Sequence, residues 1–126
     1  MSETAPWLIL ACALFNLGFG VFHLLFWRLL SWPASLAPAG GLNRAVAQTL
    51  NLMLCYCFFA VALALVLAGD GAVGRGLALF GAGFWLLRAA LQPVFFPMRR
   101  RYSVILLAVF VAGVALHGAA GLGLDP

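Results

Sequence analysis

A chain of 126 residues that is 66% hydrophobic and 8% charged lies far below the roughly 25% charged content of a soluble domain, which excludes a water-soluble fold. The formal net charge of +4 comes from arginines alone, since the chain has no lysine. They form no basic stripe of the kind nucleic-acid binding needs, so no nucleic-acid partner is expected.

Met1–Pro6 contains Glu3 and no basic side chain, so no signal peptide is expected there. Four apolar runs follow, each near the ~20 residues needed to cross a hydrocarbon core. The first predicted helix covers residues 6–30, with Pro6 suited to a first helical turn and Trp7 and Trp27 placed to mark the interfaces. Residues 31–41 hold two prolines and two glycines and read as an irregular loop with Trp32 at the interface. The second helix covers 42–68. Asp70 and Gly71 make a tight turn into the third, 72–96, which Pro93 should kink or end near Gln92. Residues 98–101 make a further turn into the fourth helix, 102–122. The expected fold is one all-α transmembrane domain over residues 1–126, a four-helix bundle in a bacterial-type inner membrane. Cys12, Cys55 and Cys57 lie inside apolar runs, show no CxxC spacing, and read as small packing residues.

Arginine placement sets the orientation. Arg28, Arg44, Arg99, Arg100 and Arg101 fall on one side, and Arg75 with Glu3, Asp70 and Asp125 on the other. The first side is expected to be cytoplasmic, with both termini outside the cytoplasm.

Polar residues inside the runs are the candidates for function. At about 1.5 Å of rise per residue from the arginine edge, Gln48 and His23 lie roughly 6–7 Å deep, Asn51 and Gln92 roughly 10 Å, and Arg88 and Asn16 roughly 16–18 Å. Asn16 and His23 are two turns apart on one face. Arg44, Gln48, Asn51 and Cys55 follow a 4-3-4 spacing, and Arg88 and Gln92 share a face. The simplest arrangement turns these stripes toward one another. Arg88 carries the most weight, because an arginine near a bilayer centre costs about 2.5–3.5 kcal/mol and no acidic side chain lies at its depth. Backbone carbonyls, Asn51, Gln92, His23 or a bound anion are its expected partners.

Two uses of this band compete. One is hydrogen-bonded glue between helices, as in an accessory subunit of a membrane complex. The other is a pocket in the cytoplasmic half that holds the polar or anionic head of a lipid or other amphipathic molecule, lined by Arg88, Gln92, Asn51, Gln48, His23, Asn16 and Arg44. No set of His, Cys and carboxylates converges for a metal. His117, on a stripe with Gly113 and Gly121, reads as a packing residue. No acid lies within a span, which argues against carboxylate-based proton coupling.

Helix two opens Arg44-Ala45-Val46-Ala47-Gln48-Thr49-Leu50-Asn51. This resembles the R-A-x-x-N-x-x-E signature of the MAPEG family, the membrane-associated glutathione transferases and eicosanoid enzymes. Arg44 and Ala45 match; Gln48 stands in place of Asn and Asn51 in place of Glu. The resemblance implies a trimeric four-helix protein that binds a thiol cofactor, with Arg88 in place of an arginine the family carries on its third helix. The departure at Asn51 removes the acid that glutathione binding uses. The stretch FWLLRAALQPVFF is also similar to four-helix bacterial membrane proteins of no assigned chemistry.

Overall fold

The structure is a computed structural model and describes residues 6–124. Among the described residues it is helical throughout, without a strand. Helix α1 runs Pro6–Leu24, a short α2 Phe26–Leu29, a 3-10 helix Ala34–Ala39, α3 Gly41–Ala68, α4 Ala72–Phe95 and α5 Arg101–Leu122. Helices α1, α3, α4 and α5 are each long and apolar enough to cross a membrane.

Three local features differ from the sequence expectation. The first predicted helix breaks at Leu25, whose N–H bonds both the Val21 and Phe22 carbonyls. No proline or glycine causes this break. A side chain from α3 instead takes a carbonyl of the last α1 turn, since Asn51 Nδ2 donates to the His23 carbonyl at 2.8 Å; such insertion into the helical ladder is a known cause of bends. The loop after α2 is not irregular throughout, because the 3-10 helix fills it. That helix ends at Gly40, whose φ of 87° suits glycine, and Asn43 Nδ2 donates back to the Ala39 carbonyl at 2.9 Å. Finally, of the two outcomes expected at Pro93, a kink or an end near Gln92, the end does not occur, and α4 keeps the expected span of 72–96 to within a residue. It continues past Pro93 to Phe95 and closes with the Phe96 N–H on the Gln92 carbonyl at 3.0 Å. Pro93 has no N–H to offer the Ala89 carbonyl one turn back.

The chain divides into two compact units. One comprises residues 14–63. Here the second half of α1 packs antiparallel to α3 through an aromatic layer. Phe19 and His23 both lie against Phe58, with ring centroids 5.9 and 5.4 Å apart. Gly20 allows this approach, since a Cβ there would meet the Phe59 ring at 2.6 Å.

The other unit comprises residues 6–13 and 64–124 among those described. Its centre is the antiparallel pair α4 and α5. Leu79 meets Gly121, Gly81 meets His117, Trp85 stacks on Phe110, and Gln92 reaches Ser103. Residues rise along α5 as they fall along α4, with small residues opposite large ones. Leu86, Leu87, Val94, Val104 and Ile105 face outward, as expected of a surface that meets lipid tails. His117 is fully buried and donates from Nδ1 to the Gly113 carbonyl at 2.8 Å. Cys12 from α1 lies close by, with its Sγ 3.8 Å from the Leu116 carbonyl.

The α4–α5 contact gives a paired prediction. A Cβ at Gly81 would fall 2.5 Å from His117 Cδ2, and one at Gly83 would meet nothing within 4 Å. Gly81→Ala should therefore lower stability by about 1–3 kcal/mol through overpacking, while Gly83→Ala should be neutral or stabilising by up to about 1 kcal/mol. Thermal melts of both variants in one detergent check the pair; equal loss in both would refute the close contact.

Candidate functional site

Arg88 lies on the half-buried face of α4 toward α5. Its guanidinium carbon sits 4.3 Å from the centroid of the Phe110 ring and 5.1 Å from that of Phe96. These ring faces replace the carbonyl and amide partners expected from the sequence. Each such contact contributes about 0.5–2 kcal/mol, so together they offset much of the roughly 2.5–3.5 kcal/mol cost of the charge in a bilayer. They satisfy none of its hydrogen bonds. Arg88 makes no hydrogen bond or ion pair with any described residue, so the five N–H donors of its guanidinium remain unused by this part of the chain.

One turn further on the same face, Gln92 is fully buried. Its Nε2 donates to Ser103 Oγ at 2.9 Å and to the Ser103 carbonyl at 3.2 Å, and Ser103 Oγ donates to Met98 Sδ at 3.4 Å. The Ser103 carbonyl only accepts, which fixes the amide orientation. Gln92 Oε1, buried like the rest of the side chain, has no hydrogen-bond partner. A buried acceptor left unmet costs about 1–3 kcal/mol. The α4–α5 face thus carries an unused cationic donor and an unused neutral acceptor one turn apart.

The polar groups of residues 14–63 behave differently. Asn51 Nδ2 donates to the His23 carbonyl, and its Oδ1 lies 2.7 Å from His23 Nδ1. With the amide oriented by the carbonyl, Nδ1 must carry the proton in that bond. Closer to the end of α3, Trp27 Nε1 donates to Gln48 Oε1 at 3.1 Å, and Gln48 Nε2 donates to the Arg44 carbonyl at 3.2 Å. These bonds join α1 and α2 to α3, and both amides use their two ends.

The predicted site residues therefore fall into two sets. His23, Asn51 and Gln48 take part in the α1–α3 contacts. Asn16 is buried on α1, and Arg44 is exposed with no side-chain bond to a described residue. Arg88 and Gln92 face α5. Sequence reasoning missed Phe96, Phe110, Ser103 and the bonding role of Trp27. Ser103, a lone small hydroxyl in the first turn of an apolar helix, was the one legible signal. Among the described residues no three His, Cys, Asp or Glu side chains gather as a metal site. No protein-family model, curated protein or solved structure matches the chain.

The reciprocal His23–Asn51 contact is testable by a double-mutant cycle. His23→Phe keeps ring volume and removes the donor, and Asn51→Leu removes both amide ends. The two substitutions should show a coupling of about 1 kcal/mol in detergent unfolding; strictly additive effects would contradict the bond.

Proposed function

We propose that this is an integral inner-membrane protein that binds the polar or anionic head of an amphipathic molecule, most simply a membrane lipid, at Arg88. The observation that carries this reading is the guanidinium itself. It lies over two phenyl rings, with no carboxylate and no hydrogen-bond acceptor from the described chain. An arginine kept as glue would be bonded to the helices it joins. A planar, permanently charged fork with free donors suits a carboxylate or phosphate. The apolar outer surface of α4 and α5 would lie along the acyl chain of the same molecule. The asymmetry of Arg28, Arg44 and Arg99–Arg101 against Arg75 supports a seat in the cytoplasmic half of the membrane, with both termini outside the cytoplasm.

A structural reading is favoured for the other polar set. The His23–Asn51 and Trp27–Gln48 bonds are interhelical contacts of the kind that hold membrane helices together. The glutathione-transferase alternative rests on residues 44–51 alone. Asn51, standing in place of that family's acid, is already engaged with His23.

Arg88→Leu separates binding from structure. It removes an insertion cost of about 2.5–3.5 kcal/mol and orphans no hydrogen-bond partner. The variant should melt at the same temperature as the native protein or higher in neutral detergent, and should lose the stabilisation that anionic lipid gives the native protein. Arg88→Lys should keep the charge, lose the fork, and respond weakly. A less stable Leu variant, together with a native protein indifferent to anionic lipid, would make Arg88 structural. Reporter fusions at Met1 and Pro126 check the orientation; a cytoplasmic signal from either end would refute it.

A further inference from the structure

We infer that the ligand seated at Arg88 is a long-chain carboxylate, a fatty-acid anion, whose head carries no polar atoms beyond its two carboxylate oxygens. The inference rests on the reading of Arg88 as a binding site and names the head group that the site takes.

The outer surface around Arg88 offers an anion one donor group. The chain has no second cation between Arg75 and Arg99. Every exposed side chain over residues 86–95 of α4 and 104–112 of α5 is apolar, and the backbone N–H groups there are spent on helical bonds. Gln92 and Ser103 are closed to an anion. Gln92 Nε2 and the Ser103 hydroxyl are buried and bonded, and Gln92 Oε1 is a buried acceptor. Arg88 itself is only half-buried, so it stays accessible to a molecule on the outer surface of the helix pair.

One guanidinium can meet both oxygens of a carboxylate through two parallel N–H bonds. It can meet the two charged oxygens of a phosphodiester as well, but a phospholipid brings more acceptors: ester oxygens, glycerol ester carbonyls and the polar atoms of its head. At Arg88 these find no donor from the described chain, and each acceptor buried without one weakens binding. Depth acts in the same direction. Arg88 lies roughly 10 Å inside the end of α4 at Phe95, at about 1.5 Å per residue. A phospholipid would have to draw its glycerol esters that far below the interface, away from the water that meets them. A fatty acid has no such groups. It can also travel through hydrocarbon as the neutral acid and ionise beside the guanidinium, a route closed to a phosphodiester, which stays charged at physiological pH.

The test uses the full-length protein in phosphatidylcholine nanodiscs, titrated with palmitate, hexadecanol or palmitoyl lysophosphatidylglycerol. All three carry a chain of the same length. The alcohol lacks the charge, and the lysophospholipid keeps one negative charge while adding ester and hydroxyl groups. Palmitate should raise the melting temperature and hexadecanol should not. Palmitate should bind about tenfold more tightly than the lysophospholipid, the worth of one unmet acceptor, and Arg88→Leu should lose the response to palmitate. A lysophospholipid that binds as tightly as palmitate or more tightly would overturn the carboxylate and leave Arg88 as a general anion seat. No response to either anion, or a palmitate response that survives in Arg88→Leu, would overturn the Arg88 reading itself. Hexadecanol matching palmitate would overturn both, since the charge would then be irrelevant. Acetate matching palmitate would overturn the assignment to a long-chain ligand. The comparison in native protein decides the head group even where Arg88→Leu fails to fold.

Discussion

A guanidinium placed on an otherwise apolar helix has to be met by something, and around Arg88 the chain supplies π-electrons. Phe110 on α5 and Phe96 just beyond α4 lie against it, and Phe110 is itself fixed by stacking on Trp85. The antiparallel register of α4 and α5 follows the same contacts: Trp85 on Phe110 sets the pair, which brings Gln92 to Ser103 at one end and Gly81 to His117 at the other. An aromatic seat tolerates a charge without consuming its donors. A carboxylate in the same place would have neutralised Arg88 and closed it to other partners.

The contrast with residues 14–63 sharpens this. There Asn51 and Gln48 are each used at both ends. Asn51 grips a carbonyl and an imidazole of the same residue, and Gln48 bonds one indole and one carbonyl. Polar groups closed on one another contribute to stability and have little left for a ligand. Between α4 and α5, Ser103 and His117 are bonded, but Gln92 uses only its donor end and Arg88 makes ring contacts alone.

The helices were legible because span length and apolar composition leave few alternatives. The bounds of α3, α4 and α5 fall within a residue of the expected 42–68, 72–96 and 102–122. Local exceptions were not legible, since each depends on a partner distant in sequence. The break at Leu25 accompanies a bond from Asn51, 28 residues on from His23. Pro93 could kink or end α4, and proline chemistry alone does not choose between them; the helix runs on to Phe95. The polar residues were read correctly as inward groups in several places; Asn16, Asn51 and Gln92 are buried. Their partners were not, because a phenylalanine that will cover a cation looks the same in sequence as one that will face lipid. Periodicity put Arg88 and Gln92 on one face. Only the packing register shows that α5, a helix with no predicted site residue, is what that face meets.

The His23–Asn51 contact also bears on how the chain is made. The break at the end of α1 exposes a backbone carbonyl and an imidazole proton, and both find their partner on a side chain 28 residues later. On the membrane-spanning reading proposed above, α1 by itself would be an incomplete solute: its last turn carries hydrogen-bonding capacity that hydrocarbon cannot absorb. Synthesis of α3 through Asn51 removes that debt in a single step. On that reading, α1 and α3 would enter lipid together as a helical hairpin.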